Sequence, residues 1–120
     1  MPSGNDGYHL FIQVTEQLGE NNEILIVNAS TIHPNIYHDS TCVLNVGDHP
    51  FIIHPSYVRY DKSRIVPIEK IQNGIRTNTL IPREMLSEDV FNRLIQGFHN
   101  SPHVAPLILS FLEEDQNSED

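Results

Sequence analysis

The 120-residue sequence has one cysteine, no tryptophan and no long apolar run. A single cysteine, Cys42, excludes an internal disulfide and a zinc site built on paired cysteines. The longest apolar runs, EILIV and PLILSFL, are far shorter than the roughly 20 residues of a membrane-spanning helix. The six glycines are scattered singly, so a phosphate-cradling loop and a dinucleotide fingerprint are absent. We therefore predict one soluble, cytoplasmic domain with no metal and no cofactor.

Basic residues are also scarce, with 7 Lys and Arg against 16 Asp and Glu and a net charge of −9. Proteins that bind long nucleic acids normally have a basic surface, because contacts to phosphates supply most of the non-specific affinity. The overall charge argues against that role. Six of the seven bases nevertheless lie between Arg59 and Arg83. This stretch is either a solvated pair of strands or a surface that acts on a phosphate.

Most of residues 8 to 66 follow the alternating pattern of short antiparallel strands. The predicted strands cover 8–15, 23–31, 41–46, 51–54 and 57–60, and the first two are predicted to form a hairpin. The dipeptide Asn73-Gly74 predicts a further hairpin or chain reversal. Short strands separated by tight turns are typical of a small barrel or a strongly bent sheet.

The pattern changes to a helical period after residue 86. Ser87 is a predicted N-cap, and the helix to Asn100 places five apolar side chains on one face: Val90, Phe91, Leu94, Ile95 and Phe98. A second short helix is predicted from Val104 to Leu112. We expect a loose lead-in over residues 1–7, one domain over 8–112, and a mobile acidic tail over 113–120.

Seven histidines offer candidates for proton transfer but no metal-binding pattern. His99 and His103 are four residues apart, yet Ser101-Pro102 prevents a shared helical face. His49 and His54 flank the segment PFII before Arg59. Each is either a turn residue that packs at a strand end or a proton donor near neutral pH. Cys42, within TCVL, is interpreted as a buried, inert thiol.

One segment carries a resemblance to a known family. The stretch HPSYVRYDKSRIVPIEKIQNG and the later helix SEDVFNRLIQG resemble the C-terminal half of the PemK/MazF toxin ribonucleases. In that family, a strand of the form Ser-x-Val-Arg-x-Asp-x-x-Arg runs toward the closing hairpin. The matching positions are Ser56, Val58, Arg59, Asp61 and Arg64. The resemblance mainly covers residues 45–98 and implies a mainly β, SH3-like antiparallel barrel with a C-terminal helix.

The resemblance also implies an activity, which is metal-independent cleavage of single-stranded RNA within a toxin–antitoxin system. Arg59 would stabilise the phosphorane, and Asp61, two residues along the same strand face, would be the base or would orient Arg59. His49 or His54 would be the acid. Candidate RNA-binding residues are Ser56, Lys62, Arg64 and Arg76. Simple alternation places Arg64, five residues along the strand, on the opposite face from Arg59.

Two kinds of function remain open from the sequence. The first is the ribonuclease, for which the resemblance implies a homodimer and an acidic antitoxin-like protein partner. The second is a non-catalytic SH3-like module for protein interaction. The charge of −9 favours the module, and the pattern at Arg59 and Asp61 favours the enzyme. A basic groove through Arg59 would distinguish the two.

Overall fold

The computed structural model describes residues 10–117, which form an antiparallel sheet of four strands and three helices. The strands are β1 (Leu10–Gln13), β2 (Glu23–Thr31), β3 (Val43–Leu44) and β4 (Ser56–Pro67). The helices are α1 (Ile68–Arg76), α2 (Glu88–Asn100) and α3 (Pro106–Asn117). The sheet has the order β1-β2-β4-β3 and curls into a half-barrel. The sheet confirms a small, bent antiparallel arrangement, but the fold is mixed α and β and not mainly β, because the helices contain more residues than the strands.

The predicted hairpin of the first two strands is present. Leu10 pairs with Ala29 and Gln13 with Ile26, and β2 has the predicted bounds. A side chain closes the connection, because Thr15 Oγ1 accepts a hydrogen bond of 3.1 Å from the backbone of Leu25. The alternation in β1 buries Leu10 and Ile12 on the inner face of the sheet and leaves Phe11 on the outer face.

Two of the predicted strands are shorter or missing. The strand expected over 41–46 is reduced to Val43–Leu44, and residues 51–54 form no strand. Turns replace them: Asn45 donates to the Asp48 carboxylate, and the backbone N–H of Ile52 donates to the His49 carbonyl. Pro50 and Pro55 bracket the segment and cannot donate to a ladder, which explains why the apolar residues between them do not extend the sheet.

The region after β4 also differs from the sequence prediction. The strand continues to Pro67 and leads directly into helix α1, so of the two alternatives predicted at Asn73-Gly74, a hairpin or a chain reversal, the hairpin is not formed. The chain reverses only after this helix, where the backbone N–H groups of Thr79 and Leu80 both donate to the Gly74 carbonyl at 2.9 Å. The Asn-Gly pair therefore marks the last turn of a helix and not the tip of a hairpin.

Helices α2 and α3 cover the inner face of the sheet. Ser87 caps α2 as predicted, with its hydroxyl accepting from the Val90 backbone at 3.2 Å. Three predicted core residues are buried (Val90, Leu94 and Phe98), and the other two, Phe91 and Ile95, are half-buried. They form one core with Val58 and Tyr60 of β4 and with Ile108 and Leu112 of α3.

The second predicted helix is longer than expected. Helix α3 continues past Leu112 to Asn117, so the first five residues of the predicted acidic tail, Glu113–Asn117, are helical. The mobility of this tail stays a prediction. The predicted lead-in over residues 1–7 and the end of the tail at 118–120 lie outside the described residues. Within residues 10–117, every helix is too short or too polar to cross a membrane.

Candidate nucleic-acid interface

A large bulge in β4 decides which side chains reach the outer face of the sheet. Asn28 of β2 pairs with Arg59, and Ile26 pairs with Arg64. Between these two pairs β2 has one residue, Val27, whereas β4 has four, at positions 60–63. Paired residues share a face, and positions 26 and 28 of one strand also share a face. Arg59 and Arg64 are therefore on the same face, and the prediction of opposite faces is wrong.

A cleft of about 380 Å³ lies over this bulge on the outer face. Its walls come from three strands: Phe11 of β1, Asn28 and Ser30 of β2, and Arg59, Asp61, Lys62, Ser63 and Arg64 of β4. Three of these side chains are cations and one is a carboxylate, on a chain whose total charge is −9. We call this surface the bulge cleft. It is a local concentration of positive charge.

Aromatic rings hold two of these guanidinium groups. The Arg64 guanidinium carbon lies 5.5 Å from the centre of the Phe11 ring, and that of Arg59 lies 5.6 Å from the Tyr57 ring. Both distances are within the range of a cation–π interaction. Such stacking restricts the long Arg side chains without using their hydrogen-bond donors. Arg64 itself is exposed, and its donors can therefore bind an anion.

Arg59 and Asp61 form a bidentate ion pair, which confirms that they share a face. Arg59 Nε donates to Asp61 Oδ1 at 2.9 Å, and Nη2 donates to Oδ2 at 2.8 Å. The hydrogen bonds from Arg59 lower the pKa of Asp61, and the same bonds raise the pKa of Arg59. Both groups are therefore charged at neutral pH. Because the side chains are 26% and 44% exposed, the pair contributes at most about 1 kcal/mol to stability.

Four of the predicted site residues lie away from the bulge cleft. Ser56 is buried on the inner face, where its hydroxyl donates to the His54 carbonyl at 2.9 Å. Arg76 ends α1 and donates to the side chain of Asn73. His54 is exposed in the loop before β4. None of these three residues, nor His49, lines the cleft.

His49 has a structural role in the loop between β3 and β4. Its ring is buried, and Nδ1 accepts a 3.0 Å hydrogen bond from the backbone of Phe51. Nε2 then carries the proton and donates to the Glu84 carbonyl at 2.5 Å. Both ring nitrogens are engaged, so His49 joins the turn at residues 49–52 to the segment before α2. Among the residues that line the cleft, Asp61 is the only acid and there is no imidazole.

Sequence reasoning missed the residues from β1 and β2. Asn28 and Ser30 interrupt the apolar run of β2 at positions two apart, which places them on one face. That spacing was a usable signal for a polar patch. Phe11 gave no such signal, because an isolated aromatic residue in a predicted strand is more often part of the core. Its position depends on the pairing of Phe11 with Asn28.

A second cleft lies between β3 and α2, but its cation is already bound. Arg93 donates to the Asp48 carboxylate at 2.9 Å and to the Val43 carbonyl at 3.2 Å. Cys42 borders this cleft and is buried, as predicted, and burial raises the pKa of its thiol. No group of side chains suited to hold a metal ion is found among residues 10–117.

Comparisons with protein-family models, with curated proteins and with solved structures find no match to this chain.

Proposed function

We propose that the chain binds single-stranded RNA in the bulge cleft. The observation that carries this proposal is the position of Arg59, Lys62 and Arg64 in one cleft on a strongly acidic protein. Phosphate oxygens are the ligands that match Arg donors, and base rings stack on aromatic side chains. Phe11 provides an aromatic surface beside the cations.

The charge distribution favours binding of a short single strand of RNA over binding of a long duplex. Phosphate contacts provide affinity in proportion to the number of cations that reach the backbone. The cleft offers three cations, whereas the rest of the chain carries most of the 16 acids and repels an extended polyanion. A flexible strand can bend to place a few phosphates and bases over the cleft.

Cleavage of the bound RNA is the second candidate function, and the Arg59–Asp61 pair favours it. Arg59 would donate hydrogen bonds to the phosphorane, and Asp61 would accept the proton of the ribose 2′-OH. Neither His49 nor His54 borders the cleft to protonate the leaving 5′-oxygen. Binding is therefore proposed as the primary function. The SH3-like barrel, the homodimer and the antitoxin-like partner are proposed on the PemK/MazF resemblance alone.

Fluorescence anisotropy with a labelled oligouridylate of about 10 nucleotides tests the binding proposal directly. Arg59→Ala, Lys62→Ala and Arg64→Ala should each weaken binding about threefold to tenfold at low salt, since each removes one phosphate contact. Arg76→Ala and Lys70→Ala are the matched controls, because they remove the same charge outside the cleft. Equal losses in all five variants would indicate general attraction and contradict the proposed site.

Incubation of the purified protein with a mixed RNA pool in EDTA tests the second candidate. If the chain is a metal-independent ribonuclease, Arg59→Ala should lower the cleavage rate on the order of 10²-fold, the usual loss for a transition-state donor. Binding without cleavage would leave the RNA-binding function alone. Absence of both would favour the non-catalytic protein-interaction module.

A further inference from the structure

The geometry of the Arg59–Asp61 pair bears on how a phosphate could enter the bulge cleft. A guanidinium binds a phosphate best through two parallel hydrogen bonds from one edge. The Nε and Nη2 edge of Arg59 already makes two such bonds, to the two carboxylate oxygens of Asp61. Asp61 therefore occupies the Nε–Nη2 edge of Arg59, which is one of the two edges through which a guanidinium can bind an RNA phosphate with parallel hydrogen bonds.

We infer that Asp61 is a built-in competitor, which must leave the Nε–Nη2 edge of Arg59 before a phosphate can bind that edge in bidentate fashion. This inference rests on the proposed RNA-binding function and adds a means of regulation to it. The cleft then binds RNA in two steps. Lys62 and Arg64, which are exposed, take the first phosphate contacts, and Arg59 joins after its carboxylate partner moves away.

The surroundings of the two side chains support a movement of Asp61 and not of Arg59. Asp61 lies within the bulge, where residues 60–63 have no partner in the register of β2. Its side chain is 44% exposed and can rotate into solvent, whereas the Arg59 side chain is 26% exposed and lies against the Tyr57 ring. Displacement thus requires one carboxylate rotation and no change in the core.

The opposite role for Asp61 predicts the opposite result. If Asp61 holds Arg59 in its binding orientation, loss of the carboxylate should weaken RNA binding. If Asp61 competes with phosphate, Asp61→Asn should tighten binding, because the amide cannot replace the charged pair and Arg59 is released. The two roles differ in the sign of the change in Kd.

The experiment is a double-mutant cycle measured by anisotropy with the labelled oligouridylate. Asp61→Asn should lower Kd about threefold to fivefold, the scale of an exposed ion pair. Glu69→Gln, at an exposed acid in α1, is the control for a change of one charge and should alter Kd less than about twofold. In the Arg59→Ala background, Asp61→Asn should have no larger effect than Glu69→Gln. Asp61→Ala provides a second variant, and circular dichroism checks that each variant is folded.

The outcomes separate the inference from the proposed function. If the wild type binds RNA and the Asp61→Asn variant binds it equally well or more weakly, the inference is overturned and the RNA-binding function is kept. An effect of Asp61→Asn that persists fully in the Arg59→Ala background would also overturn it, since the competition must act through Arg59. Failure of the wild type and of every variant to bind would overturn the proposed function and the inference with it.

Discussion

The hydroxyl of Tyr60 fills the space that a side chain at Gly97 would need. A Cβ built on Gly97 would lie 1.9 Å from the Tyr60 hydroxyl oxygen and 2.5 Å from its Cζ. Tyr60 donates to the Leu94 carbonyl of the same helix at 2.8 Å, and its ring packs edge-to-face on Phe98. Because Tyr60 immediately follows Arg59, this contact anchors the strand that carries the bulge cleft to helix α2.

Gly97→Ala should therefore destabilise the protein by about 2 kcal/mol, the scale of overpacking in a core. Helix propensity alone predicts the reverse, a gain of roughly 1 kcal/mol for replacement of a helical glycine by alanine. Chemical denaturation measures the difference. Gln96→Ala, at the exposed neighbouring position, should change stability by less than about 0.5 kcal/mol. Tyr60→Phe should recover part of the loss in the Gly97→Ala background, and a Gly97→Ala variant more stable than wild type would refute the contact.

Elements with strong local patterns were predictable from the sequence. Strand β2 has the predicted bounds because its apolar run is long and β-branched, and α2 begins at the predicted Ser87 cap. Helix α1 was not predicted, because Asn73-Gly74 carries a hairpin signal that local sequence cannot distinguish from the end of a helix. In α3 the acidic residues have no apolar side chain to bury, and the helix docks through Ile108 and Leu112, which precede them in the chain.

The candidate site was predictable only in part, because local sequence patterns do not show contacts that depend on the tertiary fold. The pairing of Arg59 with Asp61 follows from two residues on one strand face. The position of Arg64 depends on the bulge in β4. Within this bulge, the Ser63 hydroxyl donates a 2.8 Å hydrogen bond to the Tyr60 carbonyl. Period-2 alternation cannot detect such a bulge. The role of His49 depends on Glu84, which lies 35 residues away in the chain.

A pH dependence is expected at Asp39, which joins the loop before β3 to the end of α2. Its carboxylate accepts from the Ser101 hydroxyl at 2.6 Å and from the Thr41 backbone at 2.9 Å. Burial by itself raises the pKa of Asp39, but these hydrogen bonds outweigh burial and the pKa is lowered overall. Because the pKa of Asp39 is lower in the folded protein than in the unfolded chain, the ionised carboxylate stabilises the fold at pH values above the unfolded pKa. This stabilisation is lost as the pH falls through the folded pKa.

Asp39→Asn should thus reduce the free energy of unfolding by about 1–3 kcal/mol at neutral pH. The difference in the free energy of unfolding between wild type and variant should shrink below about pH 4. In this range Asp39 becomes protonated first in the unfolded state and then in the folded state. Urea denaturation across this pH range measures the difference. A difference that is constant or grows as the pH falls would contradict the assignment.

The two candidate histidines should behave differently from each other. His49→Ala removes two hydrogen bonds from a buried ring and should cost about 1–3 kcal/mol of stability, with little change in RNA affinity. His54→Ala, at an exposed position in the same loop, should alter neither quantity. Thermal denaturation and anisotropy on the same samples provide the two measurements. A folded His49→Ala variant that specifically loses RNA cleavage would restore His49 as the acid.

Removal of the acidic segment tests whether α3 docks as a whole. Deletion of Glu113–Asp120 removes the last five residues of the 12-residue helix and leaves Leu112 at the chain end. Short helices depend on length and on tertiary packing, so the melting temperature should fall by about 5 °C or more. Leu107→Ala, at a position in α3 that is 71% exposed, is the control and should have little effect. A fall of only about a degree after the deletion would show that residues beyond Leu112 merely solvate the fold.

The measurement that most directly tests the bulge cleft is an NMR titration of the ¹⁵N-labelled protein with a short oligouridylate. If RNA binds in the bulge cleft, amide shifts should change on the outer face, at Phe11, Asn28, Ser30 and residues 59–64, while His49 and the buried Ser56 remain nearly unchanged. Changes confined to the second cleft, around Thr41, Arg93 and Asn100, would contradict RNA binding in the bulge cleft. A spectrum that RNA leaves unaltered at low salt would contradict it equally.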